Sequence, residues 1–283
     1  MPEAPEVSLI TLQLNKELKN ATILEFIFSK GGRYQSKAPI GFIDFKNSLP
    51  LKIVSIKNKG KFIYWEFSNG MYMFNTLGLS GIWMNKKGRN PSIEVIYNTT
   101  NENEGSKITK NEIIYFDDQR HFGTVKFVKN LSDLEKKLST IGPDILNSTD
   151  KELNYTIFKD RLTKKKNWNI TKALMNQSII SGIGNYIKAE SLYIARISPH
   201  LQVSEIDDIR LKKLYNAAKD ITKKSFQLQG MSLRHFKDIK GNEGEFVENL
   251  EVYGRKIDKN GYKVIRETTK DDRTTYWVKE LQY

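Results

Sequence analysis

The sequence contains no cysteine and only three histidines, His121, His200 and His235. Disulfide bonds and thiolate metal sites are therefore excluded, and three separated imidazoles do not make a zinc site. No apolar run approaches the roughly 18 residues that a membrane-spanning helix needs. The first residues also lack the basic region and apolar stretch of a secretory signal. We therefore expect neither a membrane span nor secretion.

Acidic residues are scarce relative to basic ones. The 46 Lys and Arg residues exceed the 33 Asp and Glu residues, giving a formal net charge of +13 at pH 7. The apolar content of 39%, with 14 Phe and 13 Tyr in 283 residues, is enough for one large domain or two of ordinary size. The charge excess predicts a polyanionic partner, with nucleic acid the leading candidate. The alternative is that lysine simply covers ordinary solvated faces.

The hydrophobic pattern predicts a helix over residues 5–19 and helices again after about residue 131. Between them, short β-type runs occur at residues 23–28, 62–67, 71–74, 93–97, 113–116 and 125–128. The polar segment 98–107 reads as a solvated loop.

The C-terminal part is predicted to hold a capped helix and a hairpin. Residues 204–207 resemble a capping box, and the helix that follows would direct inward Ile206, Ile209, Leu214, Ala217 and Ile221. A β-type stretch over residues 250–278 has turn signals at residues 259–261 and 271–272. We therefore expect an α+β protein without an internal repeat.

The N-terminal segment Pro2-Glu3-Ala4-Pro5-Glu6 carries a possible nucleophile. If Met1 is removed, Pro2 becomes a terminal secondary amine, and terminal amines have reference pKa values of roughly 7.7–8.0. Such an amine can attack an electrophilic carbon, such as C1′ of a damaged nucleotide, and form an iminium. The alternative is that the prolines stiffen the start of a helix whose dipole the glutamates complement.

The segment Ser181-Gly182-Ile183-Gly184-Asn185 lies between two predicted helices. Its glycines permit a tight turn, and the helix start after it would offer unpaired N–H groups to an anion such as a DNA phosphate. Alone this signal is weak, because many corners between helices contain glycine.

Residues 172–200 (KALMNQSIISGIGNYIKAESLYIARISPH) resemble the helix–two-turn–helix (H2TH) segment of the formamidopyrimidine-DNA glycosylase/endonuclease VIII family. Further motifs similar to that family follow its order: PEAPEV at the start, Lys59–Phe62 on a strand, Leu77–Gly81 at a turn, Asp118–Gly123 (DQRHFG), Leu250–Arg255 (LEVYGR) and Arg273–Gln282 (RTTYWVKELQ). The chain is identified as a member on these motifs, which span nearly its whole length.

The resemblance implies a fold in three parts: an N-terminal two-layer β-sandwich with a leading helix (1–130), a helical H2TH domain (131–245) and a terminal β-hairpin (246–283). It implies a monomeric bifunctional DNA glycosylase/AP lyase of base-excision repair that needs no metal or cofactor. This enzyme would excise oxidised bases from double-stranded or single-stranded DNA and cleave the strand by β,δ-elimination. We expect it inside the cell, in the nucleus, a viral factory or the cytoplasm.

Two other functions compete with this one. A catalytically inactive damaged-DNA-binding protein of the same fold would have lost Pro2 or Glu3, and both are present. The third function, an RNA-binding H2TH protein, does not explain the N-terminal motif.

Roles follow from the resemblance position by position. Pro2 would be the Schiff-base nucleophile and Glu3 the proton-transfer group that opens the deoxyribose. Glu6 would orient this segment, and Lys61 would meet the DNA backbone beside the lesion. Phosphate contacts are implied for Lys172, Asn185 and Arg273. The gap left by the everted nucleotide would be filled by Leu79, Arg120 and Phe122. A loop over the flipped base is implied for Leu233, Arg234, His235 and Phe236. The alternatives are a turn-packing Leu79, a core Phe122 and a surface Lys61.

The chain departs from the family pattern at several positions. Many members end in a four-cysteine zinc finger, whose ligand positions here hold Ile257, Asn260, Val278 and Leu281. The chain thus resembles the zincless-finger members, in which apolar packing and a hairpin would replace the metal. His121 and Asn176 replace Arg and Asp, which we expect to weaken one phosphate contact and one structural hydrogen bond. The lesion loop favours oxidised purines and the zincless finger favours oxidised pyrimidines and hydantoins, so both preferences stay open.

Overall fold

The computed structural model describes residues 2–29, 32–89, 91–103, 106–232 and 237–283. The chain forms two compact units. The first comprises Met1–Pro2, Glu6–Ser139 and Ser232–Gly244, and the second comprises Glu3–Pro5, Thr140–Met231 and Glu245–Tyr283. The three-part division expected from the sequence stays a prediction.

The leading helix α1 spans Ala4–Leu18, which confirms the predicted helix over residues 5–19. Pro5 lies in its first turn, where a missing N–H costs nothing. Its apolar stripe is fully buried in the core of the first unit and consists of Val7, Ile10, Leu14 and Leu18. The helix is therefore held by tertiary packing along one face.

Among its described residues, the first unit has eight antiparallel strands: β1 (Thr22–Phe28), β2 (Leu51–Lys59), β3 (Phe62–Phe67), β4 (Tyr72–Thr76), β5 (Ile82–Met84), β6 (Pro91–Asn103), β7 (Ser106–Asp117) and β8 (Thr124–Val128). Their order is β5-β7-β6-β1-β2-β3-β4-β8. Strands β1 and β2 share only the pairs Thr22↔Lys52 and Ile23↔Leu51. The sheet is thereby divided into two halves that form the expected β-sandwich around one apolar core. Two short helices complete the unit: α2 (Phe42–Asn47) and α3 (Leu131–Ser139).

Aromatic side chains from both halves of the sandwich fill its core. Trp65 and Trp83 are fully buried with ring centroids 5.1 Å apart, and the Trp83 indole donates to Asn75 Oδ1 at 3.0 Å. Phe45 of α2 stacks on Phe127 of β8 at 4.3 Å. Aromatic rings thus supply much of the apolar surface of this core.

The predicted loop over residues 98–107 is wrong for the residues that the structure describes there, 98–103 and 106–107. These belong to strands β6 and β7, which are paired from Asn98↔Asn111 to Asn103↔Ser106. The segment lacks the apolar alternation of a half-buried strand, but Thr99, Thr100 and Thr109 are β-branched residues that favour extended backbone. Backbone pairing within a hairpin needs no apolar face, so polarity alone was a poor guide here.

The second unit contains four α-helices among its described residues: α4 (Tyr155–Thr163), α5 (Ile170–Met175), α6 (Asn185–Ile194) and α7 (Asp208–Gln227). Two 3₁₀ helices lie at Val203–Glu205 and Phe246–Asn249, and a hairpin pairs β9 (Ile265–Thr268) with β10 (Thr274–Trp277). Helix α6 is buried on all sides from Tyr186 to Tyr193, so it lies at the centre of this unit. No helix in the described part of the chain is long and apolar enough to cross a membrane.

Helix α7 begins later than the sequence suggested. It starts at Asp208, and the carboxylate of Asp207 caps it by accepting from the Arg210 amide at 2.9 Å. Ile206 is buried but precedes the helix, and Ile209 is 70% exposed rather than inward. Ile209 and Leu214 are five positions apart, so they lie about 140° apart around the helix, and only Leu214 faces the core with Ala217 and Ile221.

The expected β-type stretch over residues 250–278 is only partly extended. Its strands are β9 and β10, whereas residues 250–264 form turns and one isolated bridge, Ile257↔Lys263. Both predicted turns are present: the Gly261 amide donates to the Asp258 carbonyl at 3.1 Å, and the Asp272 amide donates to the Thr269 carbonyl at 2.9 Å.

Candidate nucleic-acid interface and active-site residues

The Glu3 carboxylate lies at the start of α6 and is only 2% exposed. It accepts hydrogen bonds from the backbone amides of Gly184 (2.7 Å), Tyr186 (2.8 Å) and Ile187 (3.3 Å). These are amides that a helix start leaves without intrahelical partners, and the helix dipole adds positive potential there. The arrangement holds a buried carboxylate in one orientation and stabilises its negative charge.

This geometry corrects the expectation that these amides would be offered to a DNA phosphate. Three of them are already occupied by Glu3, so the anion at this helix start belongs to the protein itself. The interpretation of the segment as an anion site was right, but its ligand was not.

The two glycines of the turn before α6 make room for the N-terminal segment. A Cβ at Gly184 would overlap the Glu3 carboxyl group. Gly182 has φ +98°, its carbonyl accepts from the Ala4 amide at 3.1 Å, and a Cβ there would lie 2.7 Å from the Ala4 Cβ. Glycine is needed at both positions because the chain that carries Glu3 packs directly on the turn.

Polar side chains of the H2TH corner fix the same turn. Gln177 donates to the Met175 and Ile183 carbonyls, both at 3.0 Å, and accepts from the Gly182 amide at 2.9 Å. Asn176 Oδ1 accepts from both the amide (2.9 Å) and the hydroxyl (2.7 Å) of Ser178. Asparagine at this position thus makes two structural hydrogen bonds, and the weakening expected relative to Asp stays a prediction.

Pro2, Glu6 and Lys61 belong to the first unit. Pro2 is half-buried just before α1, and Glu6 lies in the first turn of α1 with 1% exposure. Lys61 is half-buried at the turn between β2 and β3, where Gly60 has φ +56°. The motif at residues 59–62 was expected on a strand; Lys59 ends β2 and Phe62 begins β3, whereas Gly60 and Lys61 form the turn between them. Lys59 fixes this turn by donating to the Leu138 carbonyl at the end of α3, at 3.1 Å.

The turn carrying Leu79 and the turn carrying Arg120 and Phe122 are adjacent. The Ser80 hydroxyl donates to Asp118 Oδ1 at 2.7 Å, and the Gly123 amide donates to Asp118 Oδ2 at 2.6 Å. Asp118 is 1% exposed, so one buried carboxylate joins both turns. Sequence reasoning noted it only as part of a motif, and the acidic pair Asp117-Asp118 after an apolar strand was the available signal.

The three side chains on these turns differ in exposure. Phe122 is 53% exposed, Arg120 is exposed and Leu79 is half-buried. A core role for Phe122 is therefore wrong. The Phe122 ring and the Arg120 guanidinium are therefore both accessible to a binding partner.

His121 lies between these two exposed side chains in the left-handed region, with φ +55°. Its carbonyl accepts from the Arg33 guanidinium at 3.2 Å, and its Nδ1 lies 3.5 Å from the Ser92 hydroxyl. The loop conformation at His121 is thus supported from two neighbouring segments.

The three proposed phosphate contacts all lie in the second unit. Asn185 Nδ2 donates to the Thr274 carbonyl at 2.6 Å, while its Oδ1 is buried without a hydrogen-bond partner. Arg273, the residue before Thr274, has an exposed side chain. Lys172 is exposed, with its Nζ 4.9 Å from the centroid of the Trp168 ring. Asn185 and Arg273 are thus brought to one place by β10, whereas Lys172 lies on α5.

The four positions that hold zinc ligands in other family members do not fit a metal here, because none is a thiolate or an imidazole. Val278 is fully buried and packs, with the half-buried Leu281, in a cluster around Val252 and Val264. Apolar packing was expected at all of these apolar positions, but Ile257 is 61% exposed and does not take part in it. Within the described residues, no group of three or more His, Asp or Glu could hold a metal ion.

Asp258 organises the turn at these positions instead. It accepts from the Tyr193 hydroxyl (2.8 Å), the Tyr262 amide (2.8 Å) and both the amide (2.9 Å) and side chain (3.1 Å) of Asn260. Burial acts to raise the pKa of Asp258, but these hydrogen bonds outweigh it and leave the pKa below its ordinary value. A hydrogen-bonded carboxylate thus shapes this turn.

Sequence reasoning also missed Glu190 of α6, which is 2% exposed. Its carboxylate accepts from the amides of Glu251 (2.9 Å), Val252 (3.0 Å) and Tyr253 (2.7 Å). Burial raises the pKa of Glu190, although the three amides act against this. The available signal was a charged residue within a helix that is otherwise buried.

The lesion-loop candidates Leu233, Arg234, His235 and Phe236 lie outside the described residues. After them, Ile239 is fully buried in the core of the first unit, and its amide donates to Gln13 Oε1 at 3.1 Å. Gln13 also donates to Asp238 Oδ2 at 3.0 Å, and the Gly244 amide donates to the Ser232 hydroxyl at 2.7 Å. The residues on both sides are thus anchored within the first unit.

Comparison with known proteins gives matches over both parts of the chain. Residues 1–125 match the formamidopyrimidine-DNA glycosylase N-terminal domain, and residues 141–237 match the formamidopyrimidine-DNA glycosylase H2TH domain. The formamidopyrimidine-DNA glycosylase of a Wolbachia species (subsp. Brugia malayi) is 28% identical over 291 residues and covers 100% of both chains. That of Mycoplasma mobile is 28% identical over 294 residues and covers 100% of this chain and 99% of its own.

Solved structures show the same fold. A Lactococcus lactis Fpg variant in complex with Fapy-dG-containing DNA is similar with a TM-score of 0.83, at 20% identity over 99% of both chains. The MutM (Fpg) protein from Thermus thermophilus gives a TM-score of 0.82 at 22% identity, covering 99% of this chain and 98% of that one.

Proposed function

Since the chain belongs to the formamidopyrimidine-DNA glycosylase family, we propose that it is a bifunctional DNA glycosylase/AP lyase that excises oxidised bases from damaged DNA. The observation that carries this proposal is the position of the Glu3 carboxylate. Glu3 follows Pro2 in the sequence, and three amides at the start of α6 hold its carboxylate. A buried carboxylate fixed next to a potential secondary amine is a pair suited to imine chemistry.

The first chemical step is attack of the Pro2 nitrogen on C1′ of the damaged nucleotide. The bond from C1′ to the base breaks, and the base leaves with the electron pair and takes up a proton. The Pro2 nitrogen, which is positively charged after the attack, gives its proton to the Glu3 carboxylate, and Glu3 passes that proton to the ring oxygen, so that the deoxyribose opens and an iminium forms between Pro2 and C1′. The step requires Pro2 at the chain terminus, because with Met1 attached its nitrogen is a tertiary amide without a nucleophilic lone pair.

Strand cleavage follows from the acidity that the iminium gives to the sugar. Loss of a proton from C2′ expels the 3′ phosphate by β-elimination, and a second elimination expels the 5′ phosphate. Water then releases the sugar fragment from Pro2 and leaves a gap with phosphate ends. Glu6 would orient the N-terminal segment during these steps.

Binding and base eversion are assigned to the remaining residues. Lys61, Lys172, Asn185 and Arg273 would contact phosphates, which would fix the register and make affinity fall with salt. A base within a duplex cannot be attacked at its sugar, so it must be flipped out at a cost of a few kcal/mol. Leu79 and Phe122 would fill the gap, and Arg120 would hydrogen-bond the unpaired partner base.

The preferred base is one of two classes. The lesion-loop candidates Leu233, Arg234, His235 and Phe236 favour formamidopyrimidine and 8-oxoguanine, and the zincless finger favours oxidised pyrimidines and hydantoins. Excision rates on duplex and single-stranded oligonucleotides carrying each lesion decide between them. The zincless finger also implies that the enzyme works without metal, so chelator should leave the rates unchanged. We also propose that the enzyme is a monomer.

Borohydride trapping tests the proposed chemistry. We expect a covalent adduct between the chain with a free Pro2 and an oligonucleotide carrying an oxidised base or an abasic site. The matched control is the same chain with an uncleaved N-terminal extension, which blocks the Pro2 nitrogen and should give no adduct. Binding to damaged DNA without any adduct from the free chain would contradict the lyase function and establish the binding protein instead.

A further inference from the structure

Side chains of one helix, α6, hold the C-terminal segment of the second unit at several points. Tyr193 donates to Asp258 and Glu190 accepts from the amides of residues 251–253, as described above. Asn185 donates to the Thr274 carbonyl at 2.6 Å. The fourth contact is an ion pair between Lys188 and Asp271, and it has no assigned role.

The Lys188–Asp271 pair is buried. Lys188 Nζ lies 2.6 Å from Asp271 Oδ2, and the two side chains are 0% and 3% exposed. Asp271 lies at the turn between β9 and β10, where its Oδ1 also accepts from the Thr269 hydroxyl at 2.6 Å. The pair therefore joins the middle of α6 to the tip of the hairpin.

Arg273 lies between the two residues that α6 holds in this hairpin. Asp271 precedes it by two positions and Thr274 follows it directly, so both sides of its backbone are fixed. Its own carbonyl accepts from the Thr269 amide at 3.0 Å. The exposed guanidinium thus projects from a segment of backbone that is fixed at both ends.

We infer that Lys188 is a positioning residue for DNA binding: the buried Lys188–Asp271 pair, together with the Asn185–Thr274 hydrogen bond, fixes the hairpin tip so that Arg273 meets a phosphate. This inference rests on the proposed function, in which Arg273 is a phosphate contact. A long side chain that is fixed before binding loses less conformational freedom when it reaches its partner.

The physical chemistry of the pair explains why it would position rather than merely stabilise. Burial lowers the pKa of Lys188, and the hydrogen bond to Asp271 opposes that effect. A buried cation is tolerated only with its partner in place, whereas a buried pair contributes little net stability. The pair therefore fixes the position of the hairpin tip against α6. If the tip moved away, the Lys188 ammonium would be left buried without its partner Asp271.

Asp271→Asn gives a test in which positioning and general electrostatics predict opposite results. Removing a negative charge from a DNA-binding surface should tighten binding if only net charge matters. Positioning predicts weaker binding, with the dissociation constant for an abasic-site-analogue duplex raised by about tenfold, as expected when a charge-assisted contact is lost. The slope of log K against log salt should fall by about one phosphate contact.

A double-mutant cycle connects the effect to Arg273. If Lys188 acts through Arg273, Lys188→Met should weaken binding in the unmodified chain and have almost no further effect in the Arg273→Gln chain. Steady-state excision should show a raised KM with kcat nearly unchanged. Lys159→Met, which breaks the exposed Lys159–Asp208 pair in the same unit, is the matched control and should leave binding nearly unchanged.

The outcomes separate failure of the inference from failure of the proposed function. If the unmodified chain binds no damaged DNA, the proposed function fails. If the unmodified chain binds but Asp271→Asn binds equally or more tightly, the inference is overturned. It is also overturned if the effects of Lys188→Met and Arg273→Gln on the binding free energy are additive. Thermal unfolding of each variant identifies any that is unfolded, and Lys188→Arg, which retains the charge, should restore most of the affinity.

Discussion

The backbone amide of Gly184 donates a 2.7 Å hydrogen bond to the carboxylate of Glu3, which lies 181 positions earlier in the chain. This contact explains both the glycine and the orientation of the carboxylate, because any side chain at Gly184 would occupy the place of the Glu3 carboxyl group. In the proposed function, the H2TH turn therefore positions the proton-transfer group Glu3.

Gly184→Ala should remove most of the activity while the chain stays folded. The methyl group would displace the Glu3 carboxylate from its amides, and loss of a positioned proton-transfer group costs about 100-fold or more in rate. Single-turnover excision measures the effect. Gly70→Ala is the control, since Gly70 has φ +80° with nothing within 4 Å of an added Cβ, so it reports backbone strain alone. Equal rates for both variants would contradict the role given to Glu3.

Asp118→Asn should destabilise the two turns that carry Leu79, Arg120 and Phe122. Asparagine has a single acceptor oxygen, so its NH2 group must face either the Gly123 amide, which donates to Oδ2 of Asp118 at 2.6 Å, or the donors on the Oδ1 side, the Ser80 hydroxyl and the Arg120 amide. A buried donor left unpaired costs about 1–3 kcal/mol. Urea unfolding should show this loss, and excision should slow although the variant carries one negative charge fewer. Asp133→Asn, on the exposed face of α3, is the charge-matched control; an effect as large there would show that charge alone is responsible.

Phe122→Ala separates function from stability. Phe122 is 53% exposed, so its truncation should change the free energy of unfolding by less than about 0.5 kcal/mol. Loss of a stacking contact worth about 1–3 kcal/mol should slow excision roughly 5- to 100-fold. Phe127→Ala is the opposite case, because Phe127 is 2% exposed and its loss should cost about 3–5 kcal/mol of stability. Unchanged excision by Phe122→Ala would remove this residue from the proposed group.

The local elements could be predicted from the sequence where one face is apolar. Helix α1 and the buried runs of β3 and β8 carry their own periodicity, and glycine marked the turns at Leu77–Gly81 and Lys259–Gly261. The paired strands over residues 98–103 and 106–107 had no such signal, because polar paired strands are stabilised by backbone hydrogen bonds that nearly any residue type can make.

The supporting residues of the candidate site could not be predicted in the same way. Lys188 and Glu190 are charges within a helix that is buried from Tyr186 to Tyr193, which indicates partners but does not identify them. Their partners, Asp271 and residues 251–253, lie more than 60 positions away. Long-range pairing of this kind depends on the tertiary fold, and no local pattern contains it.

The last prediction concerns Asp258 and acid. Burial acts to raise the pKa of Asp258, but hydrogen bonds from Tyr193, Tyr262 and Asn260 together lower it by more than burial raises it. The folded-state pKa therefore lies below the ordinary value of 3.8. A depressed carboxylate pKa contributes stability above the unfolded-state value, and that contribution is lost as the pH falls through the folded-state pKa.

Asp258→Asn should therefore be less stable than the unmodified chain at about pH 6, and the difference between the two should shrink as the pH falls below about 4. Urea unfolding at a series of pH values measures that difference in the free energy of unfolding. The other carboxylates contribute equally to both chains, so their contributions cancel in the difference. Asp150→Asn is the control, because the Asp150 side chain is 90% exposed and should give a small difference at every pH. A difference for Asp258→Asn that stays constant down to about pH 2 would show that its hydrogen bonds do not depend on the carboxylate charge.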